Sequence, residues 1–470
     1  MFFVDDRVYK LKKPIVTGFV DFSSEEARRR ACEREVELNR RLAPDVYLGL
    51  ATVLGPDGAT CEHLVVMRRL PGDRRLSSRV TNGEDVRGDL NQIAAALARF
   101  HSQAATSEEI SRSGEAGAVL GRWRANTDEM LALAPEVLDR RAVGRLDVLA
   151  ARYIAGRHAL FAARAASGKV RDGHGDLLAD DIFCLDDGPR IIDCLEFDDR
   201  LRYADVMEDV AFLAMDLERL GSPQLAEAFL SAYQRAAADT PPPTLQHLYI
   251  AYRAQVRAKV AAIRAGQGLG GAEEASRLLD QATEHLQAAQ VRMVLVGGAP
   301  GVGKSVLSAA LGQRLGWTVL RSDALRQEVI GPPVPAGYGE GRYQPAAIEA
   351  VYAELLHRSR AALAMGEPVI LDASWRRQAH RDAAGRIAAE TSSDLVELRC
   401  VAPSELVARR LDQRSASGRD LSEATPQVAR QIAAGTDPWP AAIDVDTTGT
   451  PESGLEHVLK ILGLQRAGRP

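Results

Sequence analysis

The residues most suited to chemistry lie in a glycine-rich segment in the second half of the 470-residue chain. This segment matches the pattern G-x-x-x-x-G-K-[ST] and consists of Gly298, Ala299, Pro300, Gly301, Val302, Gly303, Lys304 and Ser305. Its glycines let the backbone curl until successive N–H groups point at phosphate oxygens, and the helix that follows adds positive potential. Lys304 would reach the β- and γ-phosphates, and Ser305 would ligate Mg²⁺. The segment therefore predicts a site for ATP and Mg²⁺; the alternative is a glycine-rich turn without a ligand.

Two carboxylates follow the next apolar runs of this half. Asp323 comes shortly after the run that begins at Thr318, and Asp372 directly follows the run 369–371. Asp323 is placed where a substrate hydroxyl would meet the γ-phosphate, and Asp372 where a carboxylate would hold Mg²⁺ or its water near the phosphates. The alternative for Asp323 is the N-cap of the next helix.

The segment from Ser322 to Arg326 resembles the Asp-x-x-Arg motif of P-loop kinases of the gluconate kinase, zeta toxin and polynucleotide kinase type, within an AAA-type ATP-binding domain. This resemblance implies that Asp323 accepts the proton of the acceptor hydroxyl and that Arg326 holds the substrate.

Two more segments bear on the same site. The spacing of Arg409, Arg410 and Arg414 resembles the arginine-bearing lid of these kinases, which would neutralise charge on the transferring phosphoryl group. A solvated, arginine-rich helix is an equal alternative. We expect residues 337–343, which are rich in glycine and tyrosine, at the acceptor pocket; the alternative is a surface loop.

The first half carries a second signature. His174-Gly175-Asp176 and the later Ile191-Ile192-Asp193 resemble the catalytic segment of aminoglycoside phosphotransferases and choline kinases, and the whole chain resembles bacterial fusions of such a domain with a P-loop kinase. The resemblance implies that Asp176 is the base and Asp193 the principal metal ligand. Asp181 occupies the position of the family's asparagine, where it keeps a ligating oxygen but adds charge. The alternative is a turn rich in acids.

Upstream, the strand around Lys10 resembles the one that carries the ATP-contacting lysine of this family, and Glu35 is its expected helix partner. Lys12 lies on the same strand face, so either lysine could fill the role; an edge strand guarded by lysines is the alternative. The family has a two-stranded phosphate-covering loop before this strand, yet only nine residues precede Lys10. We therefore expect either a start further upstream or an incomplete first site with weak catalysis.

The pattern of apolar runs predicts the fold class. Five short runs alternate with helices after Gln290, which predicts a parallel sheet flanked by helices, the P-loop NTPase fold. Before it, a small β-rich lobe leads into a mainly helical part, as in protein-kinase-like folds, so the chain combines α/β and α+β architecture. In the helical part we expect a helix over residues 146–166 and two short strands, 182–185 and 190–192, joined by a turn. We expect three parts: an aminoglycoside phosphotransferase-like domain (1–238), a helical linker (239–290) and a P-loop kinase domain (291–470).

The expected linker contains a helix over residues 245–265 with Tyr249, Val256, Val260 and Ile263 on its apolar stripe. Arg253, Arg257 and Arg264 border that stripe. They could bind an anionic ligand or the neighbouring domain, but a solvated helix flank is favoured.

Composition excludes several classes of protein. Apolar residues make up 46% and charged residues 26% of the chain, which excludes a disordered or collagen-like protein. A net charge of −5 gives no general attraction to nucleic acid, so a polynucleotide acceptor is disfavoured. The five cysteines are scattered without C-x-x-C spacing, and no stretch resembles a signal peptide or membrane span, so we expect a cytoplasmic protein with no membrane partner.

Together these features predict an ATP-dependent phosphotransferase with two ATP sites that phosphorylates a hydroxyl of a small molecule, the P-loop site being the more competent. One alternative is an aminoglycoside or sugar phosphotransferase that acts through the first half, with a regulatory P-loop half. Another is an ATP-sensing module without transfer. The acceptor does not follow from the sequence, because acceptor pockets are assembled from loops, and neither does the oligomeric state.

Overall fold

The computed structural model describes residues 1–15, 21–133, 137–331, 344–417 and 435–464. Its internal contacts divide the chain into two compact units. The first unit comprises residues 1–151 and 161–289, and the second unit comprises residues 152–160 and 290–470. The domain boundaries expected at residues 238 and 290 stay predictions.

The first unit begins with a four-stranded antiparallel sheet. Its strands are β1 (Phe2–Val4), β2 (Arg7–Leu11), β3 (Tyr47–Leu54) and β4 (Thr60–Arg68), in the order β1-β2-β4-β3. Helix α1 (Glu25–Asn39) starts after Ser24, whose side chain accepts a hydrogen bond from the N–H of Ala27. Val8, Cys32, Val36 and other buried side chains form one core between this helix and the sheet.

Helices dominate the chain after β4. They are α2 (Leu76–Thr81), α3 (Arg87–Gln103), α4 (Glu108–Arg112), α5 (Ala116–Leu133), α6 (Arg140–Ala155), α7 (His158–Ala166), α8 (Val206–Arg219), α9 (Pro223–Ala237), α10 (Pro243–Gly266) and α11 (Ala272–Ala288). Four short strands interrupt them: β5 (Val170–Asp172) pairs with β8 (Tyr203–Asp205), and β6 (Ile182–Leu185) pairs with β7 (Gly188–Ile191). The segment with the predicted catalytic acids runs through these strands.

Two expectations for this part need correction. The single helix expected over residues 146–166 is two helices, α6 and α7, because the chain breaks at Gly156, a poor helix former. The strand expected to begin at Arg190 begins at Gly188, because a two-residue turn pairs Leu185 directly with Gly188.

Helix α10 buries only part of the expected stripe, of which Tyr249 is buried as predicted. Val260 is 37% exposed, although the predicted stripe placed it inside. Arg253, predicted to lie on a solvated flank, is only 5% exposed. The reason is that α10 packs against α8, whose Glu208 supplies Arg253 with an ion-pair partner (Nη2–Oε1 3.2 Å).

The second unit is built on a five-stranded sheet whose neighbouring strands all run parallel. Its strands are β9 (Arg292–Gly297), β10 (Thr318–Arg321), β11 (Val369–Asp372), β12 (Asp394–Val401) and β13 (Ile443–Asp446), in the order β10-β11-β9-β12-β13. All five predicted runs are strands, which confirms the expected fold class. The strand order reverses direction at β9, and ligands of such sheets bind at the carboxyl ends of the strands beside this point.

The remaining helices are α12 (Lys304–Leu315), α13 (Ser322–Ile330), α14 (Pro345–Ala364), α15 (Gln378–Glu390), α16 (Ser404–Ser417) and α17 (Pro451–Ile461). Val294, Leu307, Leu398 and Val458 belong to the core that joins α12 and α17 to the sheet. Across the described ranges, no helix has the length and apolar character needed to span a membrane.

Candidate functional sites

The glycine-rich segment forms a tight loop between β9 and α12. Gly298, Gly301 and Gly303 have φ angles of 129°, 81° and 109°, a region that residues with a Cβ rarely adopt. A Cβ on Gly298 would lie 2.7 Å from the carbonyl oxygen of Cys400, and one on Gly301 would lie 2.9 Å from Leu411. Only glycine fits these positions, so the loop has the curled backbone that a phosphate cradle needs.

Lys304 and Ser305 begin helix α12, directly after this loop. The Lys304 Nζ donates to the carbonyl oxygen of Ala299, 2.9 Å away, so its ammonium group lies across the loop. Because α12 starts at Lys304, the positive end of the helix dipole points at the same place.

Arg410 fastens the loop from the other side. Its Nη1 donates to the carbonyl oxygen of Val302 (3.3 Å), and its Nη2 donates to that of Thr447 (2.7 Å). The Thr447 hydroxyl also donates to the Val302 carbonyl. Arg409, by contrast, is exposed. The solvated alternative therefore fits Arg409 but not Arg410, while the side chain of Arg414 and residues 337–343 lie outside the described part of the chain.

The two candidate carboxylates at the carboxyl edge of the second sheet, Asp323 and Asp372, are each paired with an arginine. Asp323 lies in the first turn of α13, and its Oδ1 accepts a hydrogen bond from Nη1 of Arg326 at 2.5 Å. The N-cap of that helix is Arg321, so the alternative role of Asp323 as an N-cap is wrong. Asp372 is buried and accepts a bond from Nε of Arg321 (3.3 Å), its register partner on β10.

In the first unit, a buried carboxylate fixes the loop that carries Asp176. The Oδ2 and Oδ1 atoms of Asp209 accept hydrogen bonds, each of 2.8 Å, from the backbone N–H groups of His174 and Gly175. His101 Nε2 lies 3.0 Å from the same carboxylate. Although burial opposes the shift, these partners lower the pKa of Asp209. Asp209 therefore positions the loop.

Three acids of this unit influence one another electrostatically. Burial, with help from Asp193, raises the pKa of Asp176 to about 6. Burial and the neighbouring charges of Asp193 and Asp176 raise the pKa of Asp181 to about 8. Asp193 itself has a left-handed backbone (φ 65°), and although burial opposes the shift, the charge of Lys10 lowers its pKa. The predicted acids thus lie together in a region crowded with negative charge.

Lys10 and Lys12 both contact the fully buried Glu35. Lys10 Nζ lies 2.8 Å from Glu35 Oε1 and 2.5 Å from Asp193 Oδ1. Lys12 Nζ lies 2.6 Å from Glu35 Oε2 and also pairs with Glu196. The pairing of Lys10 with Glu35 matches the predicted one, but the second contact by Lys12 leaves the choice between the lysines open.

The acids of the first unit have the chemistry of a divalent-cation site, because their carboxylate oxygens are the ligands that Mg²⁺ prefers and their mutual repulsion would be relieved by a cation. In the structure, Lys10 Nζ donates a hydrogen bond to Oδ1 of Asp193. Within the described ranges, no three His, Cys, Asp or Glu side chains are grouped to hold a metal ion.

Sequence reasoning missed the contact of Arg321 and favoured the wrong environment, a solvated flank, for Arg253. Arg321 contacts Asp372, and Arg253 donates from Nη1 to the carbonyl oxygen of Gly175, 3.2 Å away. Arg321 gave a weak signal, since a charge ends an otherwise apolar strand. For Arg253, the signal that it is buried was its position among tyrosines and alanines in the sequence of α10.

Comparison with known proteins bears on both units. A family model described as "Phosphotransferase enzyme family" matches residues 5–245, just over half of the chain. The chain belongs to this family. A second model, described as an AAA domain, matches residues 293–438. The expected fusion of a phosphotransferase-family domain with a P-loop kinase-like domain is therefore confirmed, as is the expected enzyme class, an ATP-dependent phosphotransferase.

Proteins similar to this chain along most of its length occur in mycobacteria. Uncharacterized proteins of Mycobacterium tuberculosis and Mycobacterium bovis are 44% identical to this chain over 461 residues, which is 97% of this chain and 92% of each relative. The similarity spans both units.

Solved structures align with a smaller part of the chain. A gluconokinase from Sinorhizobium meliloti is 17% identical and covers 36% of this chain and 91% of its own, with a TM-score of 0.27. The APS kinase of Mycobacterium tuberculosis is 19% identical and covers 37% of this chain and 98% of its own, with a TM-score of 0.30. The family assignment comes from the two family models and the mycobacterial relatives.

Proposed function

We propose that this phosphotransferase has two ATP sites and transfers the γ-phosphate of cytoplasmic ATP to a hydroxyl group of a small molecule, with the site in the second unit the more active one. The observation that supports this ranking of the two sites is a contrast between the groups that each site has available to bind phosphate. The loop of the second unit is curled around backbone N–H groups, whereas the lysine of the first unit is held by two carboxylates.

In the second unit, backbone N–H groups of residues 298–305 and the Lys304 ammonium group would bind the phosphates. Asp323 would take the proton of the acceptor hydroxyl, and its partner Arg326 would orient the acceptor. Arg410, which bonds the carbonyl oxygen of Val302, would keep the loop in its curled form and place a positive charge near it.

In the first unit, Asp176 would be the base, Lys10 with Glu35 would bind phosphate oxygens, and the Asp209 brace would keep the loop in place. Lys10 must exchange its contact with Asp193 for one with the nucleotide, because its Nζ lies 2.5 Å from that carboxylate. Asp176 and Asp181 are half-buried carboxyl groups with raised pKa values, so keeping them ionised beside another anion costs free energy. We therefore expect slower transfer here.

Both sites have oxygen ligands that suit Mg²⁺. Ser305 and Asp372 would hold it in the second unit, and Asp193 and Asp181 would hold it in the first. When bound, the cation neutralises charge on the phosphate oxygens.

The ranking is tested by measuring transfer of labelled γ-phosphate from ATP into a metabolite extract, with products identified by mass spectrometry. Lys304→Ala should lower total transfer by about a hundredfold or more, since it removes the charge that meets the β- and γ-phosphates. Asp176→Asn should lower it less than twofold. Lys460→Ala, which changes an exposed lysine of α17, is the matched control and should leave transfer unchanged. If only Asp176→Asn abolishes transfer, the ranking is wrong.

A further inference from the structure

Three arginines of helix α10 were expected to be equivalent, but they occupy three different environments. Arg253 is buried, Arg257 is half-buried and Arg264 is exposed. Arg253 has a structural role: besides its bonds to Glu208 and to the Gly175 carbonyl, its guanidinium group lies 4.8 Å from the ring centre of Phe212. It ties α10 to the loop residue that directly precedes Asp176.

Arg257 lies one helical turn after Arg253, so it is on the same side of α10. Arg253 donates to the carbonyl oxygen of Gly175, the residue before Asp176, so Arg257 lies one turn of α10 away from a direct contact with the loop of Asp176. Burial raises the pKa of Asp176, and among the charged groups around it Arg257 opposes this shift most strongly. The charge of Arg257 therefore acts on the candidate base.

Within the described part of the chain, Arg257 makes no hydrogen bond or ion pair, in contrast to the other charged groups around it. Arg122 and Arg253 share Glu208, and Lys259 is bound by Asn126 and Glu129. Asp176 has no side-chain hydrogen bond among the described residues either. An arginine stays charged at any physiological pH, and its planar guanidinium group fits two oxygens of a phosphate or carboxylate at once.

A half-buried, unpaired arginine loses hydration without gaining a partner, which is unfavourable unless a ligand supplies the opposite charge. The nearby acid Glu208 does not pair with Arg257, since Arg122 and Arg253 already share it. We infer that Arg257 binds an anionic group, a phosphate or a carboxylate, of the alcohol that is phosphorylated at Asp176. This inference rests on the proposed transfer reaction of the first unit and adds the chemical class of its acceptor.

In that reaction the acceptor oxygen forms a bond to the γ-phosphorus of ATP while the bond from this phosphorus to the β,γ-bridging oxygen breaks. The hydroxyl proton passes to Asp176, and ADP leaves. Arg257, acting as a binding residue, would hold the acceptor's own anionic group beside this centre. A polycationic acceptor such as an aminoglycoside is disfavoured, because it would face the positive charge of Arg257.

The test uses inorganic phosphate as a probe of the anion site in the full-length Lys304→Ala protein, saturated with Mg²⁺ and a non-hydrolysable ATP analogue. Calorimetric titration compares this protein with versions that also carry Arg257→Gln, Arg257→Lys or Arg264→Gln. Loss of a charge-assisted pair should weaken phosphate binding by about tenfold or more in the Arg257→Gln protein. Arg257→Lys should show an intermediate affinity, and the exposed control Arg264→Gln should stay within about twofold of the parent protein.

Two results would overturn the inference. One is a phosphate affinity that is equal in the Arg257→Gln and Arg264→Gln proteins. The other is an affinity for the ATP analogue that falls as much as that for phosphate, which would assign Arg257 to the nucleotide's γ-phosphate.

Failure of the proposed function gives a different result. If the Lys304→Ala protein binds no analogue at all, the first ATP site is wrong. The phosphate titration then tests the anion site by itself. A tenfold loss of phosphate affinity with Arg257→Gln would support an anion site at Arg257, and an unchanged affinity would refute it.

Discussion

The two candidate sites organise their charges in different ways. In the second unit the candidate phosphate cradle is backbone, shaped by Gly298, Gly301 and Gly303, and the candidate acids Asp323 and Asp372 each have one arginine partner. In the first unit the site is made of side chains, and Lys10 and Lys12 are shared among three acids. A backbone cradle stays in place without a ligand, whereas a network of side chains must exchange partners when the ligand arrives.

We infer from this contrast that a complete set of catalytic residue types need not give two equal sites. In the proposed scheme, the sites differ in the rearrangement that each needs before ATP can bind. The four predictions below test this difference between the sites, from the largest expected effect to the smallest.

Asp323→Asn should lower phosphate transfer by the second unit by about a hundredfold to a thousandfold, because the hydroxyl proton loses its acceptor. Binding of a non-hydrolysable ATP analogue should stay within about twofold of wild type. Glu328→Gln is the matched control, since Glu328 is on the same helix and pairs with Arg358 at the surface. Undiminished transfer with Asp323→Asn would show that Asp323 is not the base of this reaction.

Lys10→Met, made in the Lys304→Ala protein, should lower the residual transfer by about a hundredfold, because Lys10 joins Glu35 to the candidate metal ligand Asp193. Lys12→Met should lower it by less than about tenfold, since Lys10 would still hold Glu35. Steady-state assays at saturating ATP compare the two. The reverse order would make Lys12 the ATP-contacting lysine.

The residual transfer of the Lys304→Ala protein should also depend on pH. Asp176 must be ionised to accept a proton, and its pKa is raised to about 6, so the rate should increase by about tenfold between pH 5 and pH 7 and then level off. The pH profile of kcat/KM measures this. A rate that stays constant over this range would show that Asp176 is not the base.

Asp181→Asn should stabilise the first unit at alkaline pH. The carboxyl group ionises near its ordinary pKa of 3.8 in the unfolded chain but near 8 in the folded one, so unfolding releases a proton between these values and the free energy of unfolding falls as the pH rises. Asparagine removes this loss. Denaturation at pH 9 should therefore show a gain of at least about 1 kcal/mol, and at pH 4 the two proteins should be equally stable. An equal change at both pH values would mean that charge is not the cause.

Much of the fold could be predicted from the sequence because the deciding signals are local. The phosphate loop is contiguous, and each strand of the second sheet is an apolar run. The break at Gly156 and the start of β7 were misplaced because element boundaries depend on pairing as well as on composition.

The sites were less predictable, since they depend on contacts between distant parts of the chain. Nothing near Arg253 in sequence indicates that Glu208, 45 residues away, neutralises it. Arg321 and Asp372 meet only because their strands are neighbours in the sheet. Two lysines that reach the same buried Glu35 cannot be told apart by spacing, and the structure keeps both contacts.

The left-handed backbone at Asp193 has a consequence for the evolution of this protein. That conformation suits aspartate, asparagine and glycine, and it strains most other residues. A single nucleotide change in an aspartate codon yields asparagine or glycine, so mutation can remove this acid without disturbing the fold. Descendants with either residue would keep an intact first unit that has lost its chemistry and survives as a scaffold.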